Sequence, residues 1–147
     1  MKISQYLAGI KRVIITCRPE DTLETAATLL TTNQIGAMPV RDANGDLVGM
    51  FSERDIIRAL SQRGHQIHQM RVGDIMSRSI ISCGPEDTMQ EARQRMKRHR
   101  LRHLPVVENG KLVGLISISD TLEATLQETD MEVHVLRDHA IARRGMS

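Results

Sequence analysis

A chain of 147 residues with 40% hydrophobic content is long enough to bury one ordinary core or two very small ones, which excludes disorder as the starting expectation. Twenty Lys and Arg against 18 Asp and Glu leave a formal charge of +2, too small to demand a polyanionic partner. Tyr6 and Phe51 are the only aromatic residues, so Leu, Ile, Val, Ala and nine Met must do the packing, and base-stacking platforms are nearly excluded.

Met1 to Val13 carries Lys2, Lys11 and Arg12 around a short apolar stretch with no small-residue cleavage pattern after it, which argues against a signal peptide. No run approaches membrane-spanning length, and the expected compartment is the cytoplasm. Val13–Thr16 is a β-branched run that predicts a brief strand. The Pro-Glu-Asp-Thr segment then opens a helix with Leu23, Ala26, Ala27 and Leu30 at helical spacing and Asp21 placed as its cap. Ala37–Val40 and Leu47–Phe51 predict a hairpin around the Asn44-Gly45 turn. A helix starting at Ser52 is expected to bury Ile56, Ile57 and Leu60. The polar, His- and Gln-rich stretch from Ser61 to Met70 predicts an exposed linker.

The same order then recurs. Ile80–Ser82 predicts a strand, and Met89, Ala92 and Met96 a helix capped by Asp87. His103–Val107 and Leu112–Ile116 form a hairpin around Asn109-Gly110, and a long helix from Ser117 runs through Leu122, Leu126, Val133 and Leu136. At an offset of 66 residues, Ile14, Ile15, Cys17, Pro19, Glu20, Asp21, Thr22, Ala26, Pro39 and Val40 meet identical residues from Ile80 to Val106. After one deletion the offset becomes 65, and Asn44, Gly45, Leu47, Val48, Gly49, Ser52 and Asp55 meet Asn109, Gly110, Leu112, Val113, Gly114, Ser117 and Asp120. Two copies of one strand-helix-strand-strand-helix unit are therefore expected, each too small to bury its apolar face alone. The boundaries drawn are 1–69 for the first copy with its amino-terminal helix and linker, 70–138 for the second, and 139–147 for a tail.

The chemistry concentrates at the strand-to-helix junctions, Gly49-Met50-Phe51-Ser52-Glu53-Arg54-Asp55 and Gly114-Leu115-Ile116-Ser117-Ile118-Ser119-Asp120. Glycine admits a close approach to the backbone, a serine hydroxyl at a helix start suits an anion, and an aspartate can accept from a pair of hydroxyls. A phosphate and a ribose match those partners, while the alternative is a capping box in which each serine and aspartate satisfies the other.

The two-copy layout, the segments Thr16-Cys17-Arg18-Pro19-Glu20-Asp21-Thr22 and Ser82-Cys83-Gly84-Pro85-Glu86-Asp87-Thr88, the Leu104-Pro105-Val106 strand and both Gly-x-x-Ser-x-x-Asp junctions resemble a pair of cystathionine-β-synthase (CBS) domains, a Bateman module, over nearly the whole chain. The resemblance implies an α/β fold of two CBS repeats packed with pseudo-two-fold symmetry. It also implies a non-enzymatic sensor that binds AMP, ADP, ATP, NAD(H) or S-adenosyl compounds between the copies and modulates a separate, unidentified effector. By position, Asp55 and Asp120 match the ribose-binding aspartates, and Ser52 and Ser117 the phosphate-contacting hydroxyls. Thr16 and Ser82 lie where the adenine edge is read, Val40 and Val106 wall the base pockets, and Arg18, Met38 and Leu104 complete the set. Arg54 and the Arg102-His103 pair are expected to reach phosphates near the pseudo-two-fold axis. Such pairs dimerise into a disc of four units, for which Ile3, Leu7, Ile10 and the final helix offer apolar surface; a homodimer is expected.

Rival readings have less to stand on. Arg93, Arg95, Lys97, Arg98, Arg100 and Arg102 form an acid-free basic run, but aromatic partners for nucleic acid are lacking, and a solvated helix face accounts for it. His65 with His68, and His99 with His103, lack the further ligands a structural zinc needs, so no metal is expected. Cys17 and Cys83 have no C-x-x-C spacing and are expected as free core thiols in a reducing compartment. No nucleophile motif, Walker loop or G-x-G-x-x-G fingerprint is present, so neither catalysis nor a catalytic cofactor is expected.

Overall fold

The computed structural model describes residues 1–129. Val133, Leu136 and the expected tail lie outside the described residues. Each copy is built on an antiparallel hairpin: β1 (Ala37–Arg41) pairs with β2 (Leu47–Ser52), and β3 (His103–Glu108) pairs with β4 (Lys111–Ser117). Asn109 and Gly110, at φ 53° and 80°, make the two-residue turn whose twist matches its strands. The first turn is longer. Asp42 Oδ1 accepts from the backbone N–H groups of Asn44 (2.9 Å) and Asp46 (3.0 Å), and Gly45 takes the positive φ of 85°.

The expected strands over Val13–Thr16 and Ile80–Ser82 do not form. Each is reduced to one parallel bridge, Cys17 against Val40 and Cys83 against Val106. The Cys17 N–H donates to Pro39 O (3.2 Å) and its carbonyl accepts from Arg41 N–H (2.9 Å); Cys83 makes the same pair with Pro105 (3.0 Å) and Val107 (2.8 Å). Pro19 and Pro85, two residues further on, have no N–H with which to extend a ladder. The prolines stop the ladder beyond the cysteines, and among the described residues no strand pairs with the β-branched runs before them, so local β propensity goes unused there.

Helix α2 (Leu23–Thr32) buries Leu23, Ala26 and Leu30, and α5 (Met89–His99) buries Met89, Ala92 and Met96, as their periodicity predicts. Their caps are not Asp21 and Asp87 but the following residues. Thr22 and Thr88 hydroxyls accept from Thr25 and Glu91 N–H, each at 3.1 Å. The aspartates close the preceding turns instead, Asp21 Oδ2 accepting from Arg18 N–H and Asp87 Oδ2 from Gly84 N–H, each at 2.8 Å.

Helix α3 (Glu53–Arg63) follows β2, and α6, described over 118–129, follows β4. Both turn their alanines inward: Ala59 and Ala124 are buried, whereas Ile57, Leu60, Leu122 and Leu126 are exposed. The expectation that Ile57 and Leu60 are core is thus corrected, and only Ile56 packs partly against the first core. A small residue lets each helix lie close to its hairpin, which swings the larger neighbours outward.

The remaining helices carry the connection between copies. Helix α1 (Ile3–Ala8) buries Ile3 and Tyr6 in the core of the second copy, beside Met89, Met96 and Ile116, with Leu7 and Ile10 packed against it. These residues are therefore committed within the chain rather than offered as free surface. Helix α4 (Val72–Ile75), beyond the exposed 3-10 turn Gly64–Gln69, buries Val72 with Met76 in the core of the first copy. The two segments are equivalent: Lys2 bridges Thr88 as Arg71 bridges Thr22. The copies also meet at their hairpin turns, where Leu47 N–H donates to Gly110 O (3.2 Å) and Leu112 N–H to Gly45 O (3.3 Å). Since Leu47 and Gly45 correspond to Leu112 and Gly110, this reciprocal pair marks the pseudo-two-fold axis.

The junction glycines serve the same docking. A Cβ at Gly49 would lie 2.9 Å from Ser77 O and 2.6 Å from Met76 Sδ, and one at Gly114 would lie 2.6 Å from Leu7 Cδ1. Ser77 is fixed by its exchange of backbone hydrogen bonds with Met50 (2.9 and 2.8 Å), whereas the end of the Leu7 side chain can rotate. Urea unfolding should therefore show Gly49→Ala losing about 1–3 kcal/mol and Gly114→Ala at most about 1 kcal/mol. Equal losses would mean that Leu7 is held as rigidly as the Ser77 backbone.

Candidate functional site

Each hairpin delivers its last residue to the start of the following helix, and there the two junctions share one local geometry. Ser52 caps α3: its N–H donates to Asp55 Oδ2 (2.9 Å), its hydroxyl lies 3.1 Å from the same oxygen, and its Oγ accepts from Asp55 N–H (3.4 Å). Ser117 N–H donates to Asp120 Oδ2 (2.8 Å), and Ser117 Oγ accepts from Asp120 N–H (3.1 Å). Both are capping boxes, so the two helix starts need no ligand to be satisfied. Both aspartates are nonetheless buried, at 8% and 4% exposure, which is unusual for a carboxylate in a first helical turn.

Beyond the box the two sites diverge. Among the described residues Asp55 Oδ1 has only the Arg58 guanidinium at 3.6 Å, an exposed cation beyond hydrogen-bond distance. Asp120 is fully engaged: Arg12 grips it with both guanidinium ends, Nη1 to Oδ2 at 2.9 Å and Nη2 to Oδ1 at 2.8 Å. The Tyr6 hydroxyl lies 2.9 Å from Oδ1 and 3.0 Å from Glu123 Oε2. Burial would raise the Asp120 pKa, but the bonds from Arg12, the Ser117 backbone and Tyr6 outweigh it and hold the carboxyl at about 2. Burial, followed by the two carboxylates, pushes the Tyr6 phenol well above its ordinary range.

The strand register places His103 opposite Ser117 and Ala37 opposite Ser52, so the cap serines face different neighbours across their hairpins. Burial pulls the His103 pKa down, against the field of Asp120. Thr16 and Ser82 are half-buried, and the Ser82 carbonyl accepts from Arg95 (2.7 Å). Arg18, Arg54 and Arg102 are exposed. Met38, Val40, Leu104 and Val106 are fully buried in the two cores and support the junctions from behind. Of the basic run, Arg95 turns inward to Ser82 and Asp87, while Lys97, Arg98, Arg100 and Arg102 are solvated.

Cys17 and Cys83 are buried, and burial pushes their thiols up to about 12 and about 11, so neither is a ready thiolate at neutral pH. Among the described residues no group of three His, Cys, Asp or Glu converges on one point, and no helix is long and apolar enough to cross a membrane. The residues that sequence reasoning passes over are Arg12 and Tyr6. Their only advance signals are that Tyr6 is one of two aromatics and that Arg12 follows an apolar helix.

The family model for the CBS domain matches twice, over residues 5–62 and 72–126. The chain is 34% identical over 107 residues to the CBS domain-containing protein YhcV of Bacillus subtilis, covering 73% of this chain and 75% of that protein. It superposes with TM-score 0.75 and 34% identity on a crystal structure of a CBS-domain containing protein from Agrobacterium tumefaciens, covering 85% of this chain and 99% of that one. The structure of CBSX2 in complex with AMP matches with TM-score 0.75 and 24% identity, over 87% of this chain and 98% of that one, which is a likeness of fold.

The state of Asp120 sets an acid dependence. Its pKa is depressed from an ordinary 3.8 to about 2, so its stabilising contribution is complete above about pH 5 and is lost as the pH falls through 2. Because the Arg12 side chain is 43% exposed, solvent screening leaves about 1–2 kcal/mol of that contribution. Urea midpoints taken from pH 5 to pH 2 should fall less steeply for Asp120→Asn than for the native chain; parallel slopes would assign the acid loss to other carboxylates.

Proposed function

Because the chain belongs to the CBS-domain family, we propose that it is a regulatory, non-catalytic module that binds an adenine nucleotide at its two strand-to-helix junctions. The observation that carries this reading is the repeated Ser-x-x-Asp pair. Both aspartates are buried and fixed by their own cap serine, and Asp55 Oδ1 accepts no hydrogen bond among the described residues. A carboxylate oxygen that keeps an acceptor position free, on a side chain otherwise fixed by its cap, is suited to a vicinal diol, as in a ribose. The AMP complex of the related fold supports the same class of ligand.

In this reading Asp55 and Asp120 take ribose hydroxyls, Ser52 and Ser117 face phosphate, and Thr16 and Ser82 read the base edge. Arg18, Arg54, Arg102 and His103 supply the polar surround, and Met38, Val40, Leu104 and Val106 set the pocket walls from the core. AMP, ADP, ATP and NAD(H) share the ribose and phosphate that these groups recognise. The bound ligand shifts the arrangement of the two copies by its unequal affinity for the alternatives, and a separate cytoplasmic effector reads the change.

Exposed Ile57, Leu60, Leu122 and Leu126 lie on the outer faces of α3 and α6, and Ile57 and Leu122 are equivalent in the repeat. This paired apolar stripe supports a homodimer built helix against helix. Sedimentation velocity of Ile57→Glu/Leu126→Glu should show a monomer where the native chain sediments as a dimer. A native chain that is already monomeric at high micromolar concentration refutes the dimer.

Thermal shift and calorimetry with AMP, ADP, ATP, NAD, NADH and S-adenosylmethionine test the ligand. A nucleotide at 100 times its Kd adds about 2.7 kcal/mol, which Asp55→Ala and Asp120→Ala should each reduce. No response to any of the six would leave the junctions as helix caps and the protein as an interaction scaffold.

A further inference from the structure

We propose that Arg12 determines the specificity of the second junction, by gripping Asp120 and yielding only to a ligand that brings an anion of its own. This rests on the nucleotide reading above and says how the two sites differ within it. A carboxylate offers about four acceptor positions. On Asp120 they are taken by Arg12 Nη1 and Ser117 N–H at Oδ2, and by Arg12 Nη2 and the Tyr6 hydroxyl at Oδ1. A ribose diol has to displace Arg12 or Tyr6, and Tyr6 is locked in the second core at 3% exposure. Arg12 is the movable partner, since it lies beyond the end of α1 with its side chain 43% exposed.

Lifting a guanidinium off a nearly buried carboxylate breaks a bidentate, charge-assisted pair. A phosphate repays that loss by giving Arg12 a new anion; a neutral nucleoside does not. Among the described residues the first junction has no such lock. The residue equivalent to Arg12 by the 66-residue offset, Arg78, donates to Gly73 O (3.2 Å) instead. In the docking of α4, which matches Lys2 and Arg71, the place of Tyr6 is taken by Ile75, which has no hydroxyl. One repeated site is therefore open to any adenosine-type ligand, and the other is selective for phosphorylated ones.

Calorimetric titration of Asp55→Ala with AMP and with adenosine isolates the second junction. In that background, adding Arg12→Met should tighten adenosine at least about tenfold and shrink the preference for AMP by a similar factor. Arg12→Lys, which keeps the charge but loses the fork, should fall between the two. Urea unfolding of each variant confirms that the comparison is made on folded protein. Adenosine affinity that is unchanged or weaker in Arg12→Met, with the AMP preference intact, overturns the proposal while leaving nucleotide binding in place. A native chain that binds neither AMP nor adenosine at either junction overturns the nucleotide reading itself.

Discussion

Ile3 and Tyr6 are completely or almost completely buried in the second copy, although their helix precedes the first. Without them the second core would expose the faces of Met89, Met96 and Ile116 that they cover, and a unit this small has little apolar area to spare. The same helix presses Leu7 against Gly114 and leads Arg12 to the second junction. Core closure, junction geometry and site electrostatics in this half thus depend on one docking event. The first copy is closed locally, by Val72 and Met76 from the chain just beyond its own last helix.

This difference in what closes each core has a direct electrostatic result. α1 brings a phenol and, through the chain that follows it, a guanidinium to Asp120; α4 brings neither to Asp55. Two junctions that share one capping arrangement therefore present different carboxylates, one with all its acceptor positions filled and one with an oxygen open among the described residues. The asymmetry lies outside the repeated motif, in the segments that lead into it. An effector site and a ligand site can become unequal in this way without any change in the residues that define them.

Much of the fold was legible in advance because its signals are local. The repeat followed from identities at matching offsets, the hairpins from short apolar runs around Asn-Gly, and the capping boxes from Ser-x-x-Asp at each strand end. Where local signals misled, a nearby or distant partner decided. Val13–Thr16 has the composition of a strand, but among the described residues no partner strand lies beside it, and the one bridge forms just after it, at Cys17. Ile57 and Leu60 sit at core spacing, yet it is the smaller Ala59 that is buried. A helical period identifies an apolar stripe but not which edge of it meets the core, because that depends on how closely the neighbouring sheet can approach.

The sequence by itself determined the two-copy architecture, the hairpin turns, the buried faces of α2 and α5, and the pairing of Ser52 with Asp55 and of Ser117 with Asp120. Each of these rests on interactions within a few residues or on a pattern repeated along the chain. Only the tertiary structure decided that α1 belongs to the second core, that the junction glycines admit Met76 and Leu7, and that Arg12 closes on Asp120 from 108 residues away. Those contacts join residues whose separation along the chain carries no period or motif. Their energy comes from burial and charge pairing that exist only once the segments leading into each copy have docked on its core.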